Sequence, residues 1–322
     1  MNIKLLPTLK DKMYDNAAWC VAFDLAWKEF FYSVLKVDFN NLDSVYLGDK
    51  EVVKNLIKEC LEDFVIDDNE YYVTSGKQTI SLKKKIEKVL KDKFKTKSDV
   101  LDSIEFSKDE NTMLVLVYAI LMFEIKFRKK FKNFQEQFPF GKDGKMASFF
   151  GFKNSRSEEL QEQVSPLFYN NDNDFALTIE SEDNKSIILY RTDDKGSFES
   201  ILNQLRQKSE IGEECEVKSM MVPALKLDLI EVFKDLDRQK FHARDNEIVT
   251  ISTAMQSLKF ALNNEGAKVK SEAVISCERM AYFPAETIKK RDFIFNNTFY
   301  LFIFEDNTPL VALRVEDISL FQ

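Results

Sequence analysis

The feature that most restricts the fold is a change of hydrophobic period partway along the chain. Between 13 and 110, apolar residues recur at three and four positions. From 113 onward they run on continuously or alternate. Trp19, Phe23, Trp27, Phe30, Phe31 and Val34 share one face of a helix. Val52, Val53, Leu56, Ile57, Cys60 and Leu61 repeat that spacing, and so do Leu82, Ile86, Val89, Leu90 and Phe94. The last helix carries Lys83, Lys84, Lys85, Lys88, Lys91 and Lys93 on its other faces, which reads as a solvated surface because only one stripe is buried.

The later texture is that of strands. The apolar run 113–123 reads as a strand buried on both faces. Segments 175–179 and 187–190 flank a polar turn and read as a hairpin. Ser197 is placed to cap a short helix over 198–205. Segments 217–227, 257–262, 268–275, 293–295, 300–304 and 310–315 are rich in Phe, Val, Ile and Tyr, as strands are. Helices first and strands later give an α+β fold, with N-terminal helices packed on mixed β-sheets. The expected organisation is one domain over 1–322, mainly helical to 110 and mainly β from 111. No repeat or low-complexity linker divides it.

Composition narrows the function. Fifty-four acidic residues against 46 basic ones give a net charge of −8, the wrong sign for a nucleic-acid binder. One histidine, His242, and eight glycines leave little room for histidine chemistry or glycine-rich phosphate loops. A membrane-crossing helix needs about 20 apolar residues, and no stretch reaches that. Without a visible signal peptide the expectation is a cytoplasmic chain, while a mature secreted chain restarted with Met1 fits as well. Cys20, Cys60, Cys215 and Cys277 have neither pairing nor metal spacing and read as free thiols.

Several motifs are set aside. Trp19-Cys20-Val21-Ala22-Phe23 faintly resembles the cysteine region of papain-like proteases, but a nucleophilic thiol needs a neighbouring base and only His242 is available. Cys20 also falls within the helical pattern and reads as core. Asn170-Asn171-Asp172-Asn173-Asp174 lacks the sixth-position glycine of a calcium loop and reads as a turn. Asp193-Asp194 before Gly196 is another turn. The expectation is no enzyme, no catalytic residue, no cofactor and no metal.

The informative segment is 250–304. Residues 256–262 alternate like a strand and end in Asn263-Asn264-Glu265-Gly266. Alternation then resumes, with Ala267, Val269, Ser271 and Ala273 on one face and Lys268, Lys270 and Glu272 on the other. Gly266 supplies a hinge that adopts φ > 0 without steric cost.

These residues resemble those of a divergent serpin. Asn264-Glu265-Gly266-Ala267 is similar to the family's reactive-loop hinge. Residues 293–302 and 311–315 resemble its terminal strands, 112–123 its threonine-led buried strand, and 222–227 its Leu-Pro-Lys-Phe strand, all in the family's order. The resemblance covers about 105–322. Departures are Tyr118 for an asparagine, Phe127 for a tryptophan, Thr298 for a proline and Leu313 for a glycine.

The resemblance implies a protease inhibitor acting through a loop over 264–292. Its partner would be a serine or cysteine protease. The loop is cut as a substrate and then inserts into the main sheet. The hinge would be Glu265, Gly266, Ala267, Val269, Ser271 and Ala273. The scissile region would be Arg279, Met280 and Ala281. Arg279 suits a trypsin-like pocket and Met280 a chymotrypsin- or elastase-like one. A serpin-fold binding protein that does not inhibit is the alternative. The expected partners include neither nucleic acid nor membrane, and the expected state is a monomer.

Overall fold

The computed structural model describes residues 2–37, 45–59, 66–154, 158–182, 185–212, 215–244, 247–269 and 289–322. The N-terminal third holds strands β1 (Lys4–Leu6) and β2 (Ala17–Cys20), then helix α1 (Ala22–Glu29), which continues as a π-helical turn over Phe30–Leu35. Helix α2 (Glu51–Glu59), strand β3 (Tyr71–Lys77) and helix α3 (Ile80–Lys93) follow. The helical pattern therefore starts three residues later than its spacing suggests. Trp19 and Cys20 belong to β2, which is buried on both faces and pairs with the C-terminal segment Thr308–Val315, so the spacing from Trp19 to Phe23 spans a strand-to-helix junction.

The middle third is a succession of short strands. It runs β4 (Val115–Leu121), β5 (Phe123–Lys126), β6 (Lys132–Asn133), β7 (Phe138–Phe140), β8 (Lys145–Ala147) and β9 (Phe149–Phe152). Then come α4 (Glu158–Glu162), β10 (Val164–Asn171), β11 (Asp174–Glu180) and β12 (Lys185–Arg191). β11 and β12 form the expected hairpin, with Phe175 opposite Arg191 and Glu180 opposite Ser186. The run 113–123 is buried on both faces only in its second half. Tyr118, Ile120, Leu121 and Phe123 are covered, whereas Met113 is 86% exposed. The strand begins beyond the reach of the elements that cover its far end.

The last third holds α5 (Phe198–Ile211), β13 (Cys215–Pro223), β14 (Leu225–Val232), β15 (Lys240–His242), β16 (Ile248–Thr250), β17 (Met255–Asn263), β18 (Gly266–Val269), β19 (Lys289–Ile294), β20 (Phe299–Glu305) and β21 (Thr308–Val315). Ser197 caps α5 by accepting from the Ser200 N–H. The segment 217–227, expected as one strand, is two strands in different sheets. Pro223, which has no N–H to donate, ends the first of them.

Three sheets organise the molecule. The largest has the order β1-β2-β21-β20-β12-β11-β10, and its β20 and β21 are buried on both faces. A second runs β19-β13-β9-β6, and a third β14-β17-β18-β5. β3 and β4 pair beside the third. α1 packs into the main core, where Trp27, Phe30, Phe31 and Phe241 meet edge to face or tilted at centroid distances of 5.3–6.1 Å. α3 covers the opposite face of β3–β4 through Ile86, Leu90 and Phe94, which pack with Tyr118 and Ile120. The sheet therefore has a helix on each side, and the space between its halves lies over α1.

Candidate functional site: a seated hinge strand and the cavity beyond it

The hinge residues read from the sequence form a strand held on both edges. β17 turns at Asn264-Glu265 and returns as β18, pairing Leu262 with Ala267 and Phe260 with Val269. The other edge of β18 pairs with β5, placing Ala267 opposite Ile125 and Val269 opposite Phe123. Ala267 is fully buried between Leu262 and Ile125. Lys268 points outward and meets Glu124 at 3.2 Å. Small-inside and charged-outside alternation is thus realised over the described part of the segment.

Gly266 is required by contact as well as by conformation. Its φ is +149°, and a Cβ there would lie 1.9 Å from the Ile125 carbonyl oxygen. The preceding turn is fixed by residues remote in the sequence. The Phe127 N–H donates to the Glu265 carbonyl at 3.0 Å, and the Phe131 N–H donates to the Asn264 carbonyl at 2.9 Å. The buried Asn264 amide donates to the Phe131 carbonyl at 3.0 Å and accepts from Asn133 at 3.2 Å. Lys130 pairs with Glu265 and holds its carboxyl below the usual carboxylate range. More than 130 residues separate these partners, so no local pattern announces them.

Beyond Val269 the sheet divides. No ladder joins β4 to β17 among the described residues. A cavity of about 730 Å³ lies there, lined by Val115–Leu121 on one side and by Met255, Gln256 and Ser257 on the other. Phe23, Trp27, Phe30 and Leu35 line it as well. The main-chain direction on each wall follows from strand alternation. The Leu114 carbonyl and the Met122 N–H bond toward β3, so residues 115, 117, 119 and 121 turn their peptide groups to the cavity. The Ala254 carbonyl accepts from Phe233 on the β14 side, so 255, 257 and 259 do the same from the opposite wall. Two such edges are a template for an added strand.

The other candidates fall out differently. Val269 is placed by its backbone, whereas Ser271, Ala273, Arg279, Met280 and Ala281 lie outside the described residues, as do Cys60 and Cys277. Cys20 is buried in β2 and not in a helix, while His242 stands exposed in β15. Cys215 is half-buried, and burial raises its thiol pKa. The segment around Asp172 is the turn between β10 and β11, where Asp174 pairs with Lys208 at 2.8 Å.

No protein-family model matches the chain, and no curated protein matches it. Solved structures do. Thyroxine-binding globulin in complex with thyroxine is similar over 94% of this chain and 93% of that one, with a TM-score of 0.52 at 13% identity. A serpin from the trematode Schistosoma haematobium is similar over 94% of both chains, with a TM-score of 0.53 at 12% identity. On that likeness the chain has a divergent serpin fold, α+β in class.

Proposed function

We propose that the protein inhibits a serine or cysteine protease by offering its loop as substrate and inserting the cut loop between β17 and β4. The observation that carries this reading is β18, seated in register at the head of the cavity. Continuing the same register gives the inserted form its contacts. Ser271 and Ala273 would face inward over α1, where small side chains suit the Trp27 and Phe30 rings. Lys270 would face outward opposite Lys259. Lys259 already lies 2.8 Å from Asp99 and 3.5 Å from Asp228, so two carboxylates are present for two lysines. The inserted Lys270 would therefore find a carboxylate on the outer face, as Lys268 has in Glu124.

The test is incubation with trypsin, chymotrypsin and elastase, followed by denaturing gels and thermal melts. An adduct that survives denaturant, with cleavage at Arg279-Met280 or Met280-Ala281 and a large gain in Tm, supports trapping. A clean nick without adduct and without gain in Tm refutes it. That second result is what a non-inhibitory binding protein would give. The alternation of Lys268, Lys270 and Glu272 where inhibitory loops carry small residues favours this second reading, and thyroxine-binding globulin shares the fold.

A further inference from the structure

Away from the hinge, the most distinctive surface is α3 and its flanks. From Lys77 to Lys97 the chain carries nine lysines and two carboxylates, within a protein of net charge −8. Ile86, Leu90 and Phe94 turn onto β3 and β4. Lys84, Lys88 and Lys91 therefore form a line on the opposite side at steps of four and three residues, with Lys85 beside it. Lys83 is held by Asp102 at 2.8 Å, and Lys93 donates to the carbonyls of Asp68 and Tyr71. No ion pair among the described residues engages Lys84, Lys85, Lys88 or Lys91.

A second feature adjoins the first. The Gln78 N–H donates to the Leu114 carbonyl at 2.8 Å, and the Ser81 hydroxyl donates to Glu110 at 2.6 Å. The connection into β4 is thereby tied to Gln78 just before α3 and to Ser81 in its first turn. It carries Met113, 86% exposed, and Leu114, 49% exposed.

We propose that α3, with Met113 and Leu114, docks the protein on an anionic phospholipid surface. The basic residues are all lysines, compact hydrated charges without the bidentate geometry of arginine, which suits a diffuse layer of headgroups. Phe94 and Phe106 pack inward, so the face offers no ring on which a nucleic-acid base could stack. A bilayer interface accepts exposed lysines together with an exposed apolar residue such as Met113, whereas a soluble polyanion engages the lysines alone. This proposal departs from the expectation of no membrane partner and does not require the inhibitory reading.

The experiment is co-sedimentation with vesicles of phosphatidylserine in phosphatidylcholine and with vesicles of phosphatidylcholine alone, at low and high salt. Binding is expected to the anionic vesicles only, and to be lost at high salt. Each lysine is worth about fivefold in partitioning, so K84Q/K88Q/K91Q should bind roughly a hundredfold more weakly. Met113→Ser should weaken binding while leaving the salt dependence as it was. These side chains are solvent-exposed, and an unchanged Tm would show that the variants fold. Equal binding to neutral vesicles, full binding by the triple variant, or capture of soluble polyphosphate without vesicle binding would each overturn the proposal.

Discussion

The α-carbon of Gly266 faces the carbonyl oxygen of Ile125 so closely that a methyl group in place of its hydrogen would lie 1.9 Å from that oxygen. The edge of β18 and the edge of β5 can pair because the residue at the start of the hinge has no side chain. Gly266→Ala should therefore unseat β18. The backbone strain alone costs about 1–3 kcal/mol, and the steric overlap adds to it. Differential scanning calorimetry should show a lower Tm. A variant as stable as the parent would mean that β18 is not seated in solution.

Ala267 is fully buried between Leu262 and Ile125. Ala267→Glu puts a carboxylate in that space with no partner, at a cost of several kcal/mol if the strand stays in place. The strand should leave the sheet instead. On the inhibitory reading the variant becomes a plain substrate, cleaved without adduct and without gain in Tm. Retained trapping would show that insertion does not begin at this residue.

Asp24 and Glu59 are both buried, Asp24 in the first turn of α1 and Glu59 at the last residue of α2. A helix N-terminus favours an anion and a C-terminus disfavours one, so Glu59 is the worse placed of the two to carry a charge. Burial raises the Glu59 pKa, and the Asp24 charge raises it further. The folded state therefore holds a proton that the unfolded chain has released above the ordinary carboxylate range, and stability falls as pH rises through and beyond that range. Glu59→Gln keeps the hydrogen-bonding shape without the titration. Its Tm should match the parent near about pH 5 and exceed it near about pH 8. Parallel pH curves would remove the pair from the account.

Lys185 is buried beside two carboxylates, Glu70 at 3.3 Å and Glu305 at 3.9 Å. Burial pushes Glu70 up to about 7 even with the ammonium near it. Lys185→Met removes the cation and leaves two acids facing each other. The cost should be about 2 kcal/mol in denaturant unfolding at neutral pH, below the 3–5 kcal/mol of a fully buried pair because both carboxylates retain some access to water. The deficit should shrink at acid pH, where the two groups take up protons. A pH-independent deficit would point to lost packing of the lysine stem instead.

Much of the fold was legible because its signals are local. The change of period set the α+β class, and the Ser197 cap and the 175–190 hairpin are read from neighbours in the chain. Trp19 misled because side-chain spacing does not show where a strand ends and a helix begins, and Ala17–Cys20 is a strand because β1 and β21 lie on either side of it. The exposed start of β4 was equally hidden, since an apolar run shows that side chains prefer burial and not what is available to cover them.

The hinge divides in the same way. Glycine at 266 and the alternation after it are properties of the sequence, fixed by backbone sterics and the two-residue period of a strand. That this strand is seated, that Lys130, Phe131 and Asn133 fasten its turn, and that a cavity over Trp27 and Phe30 continues its line were decided by the tertiary structure. Those contacts join residues more than 100 positions apart, and only the packed sheets bring them within hydrogen-bonding distance.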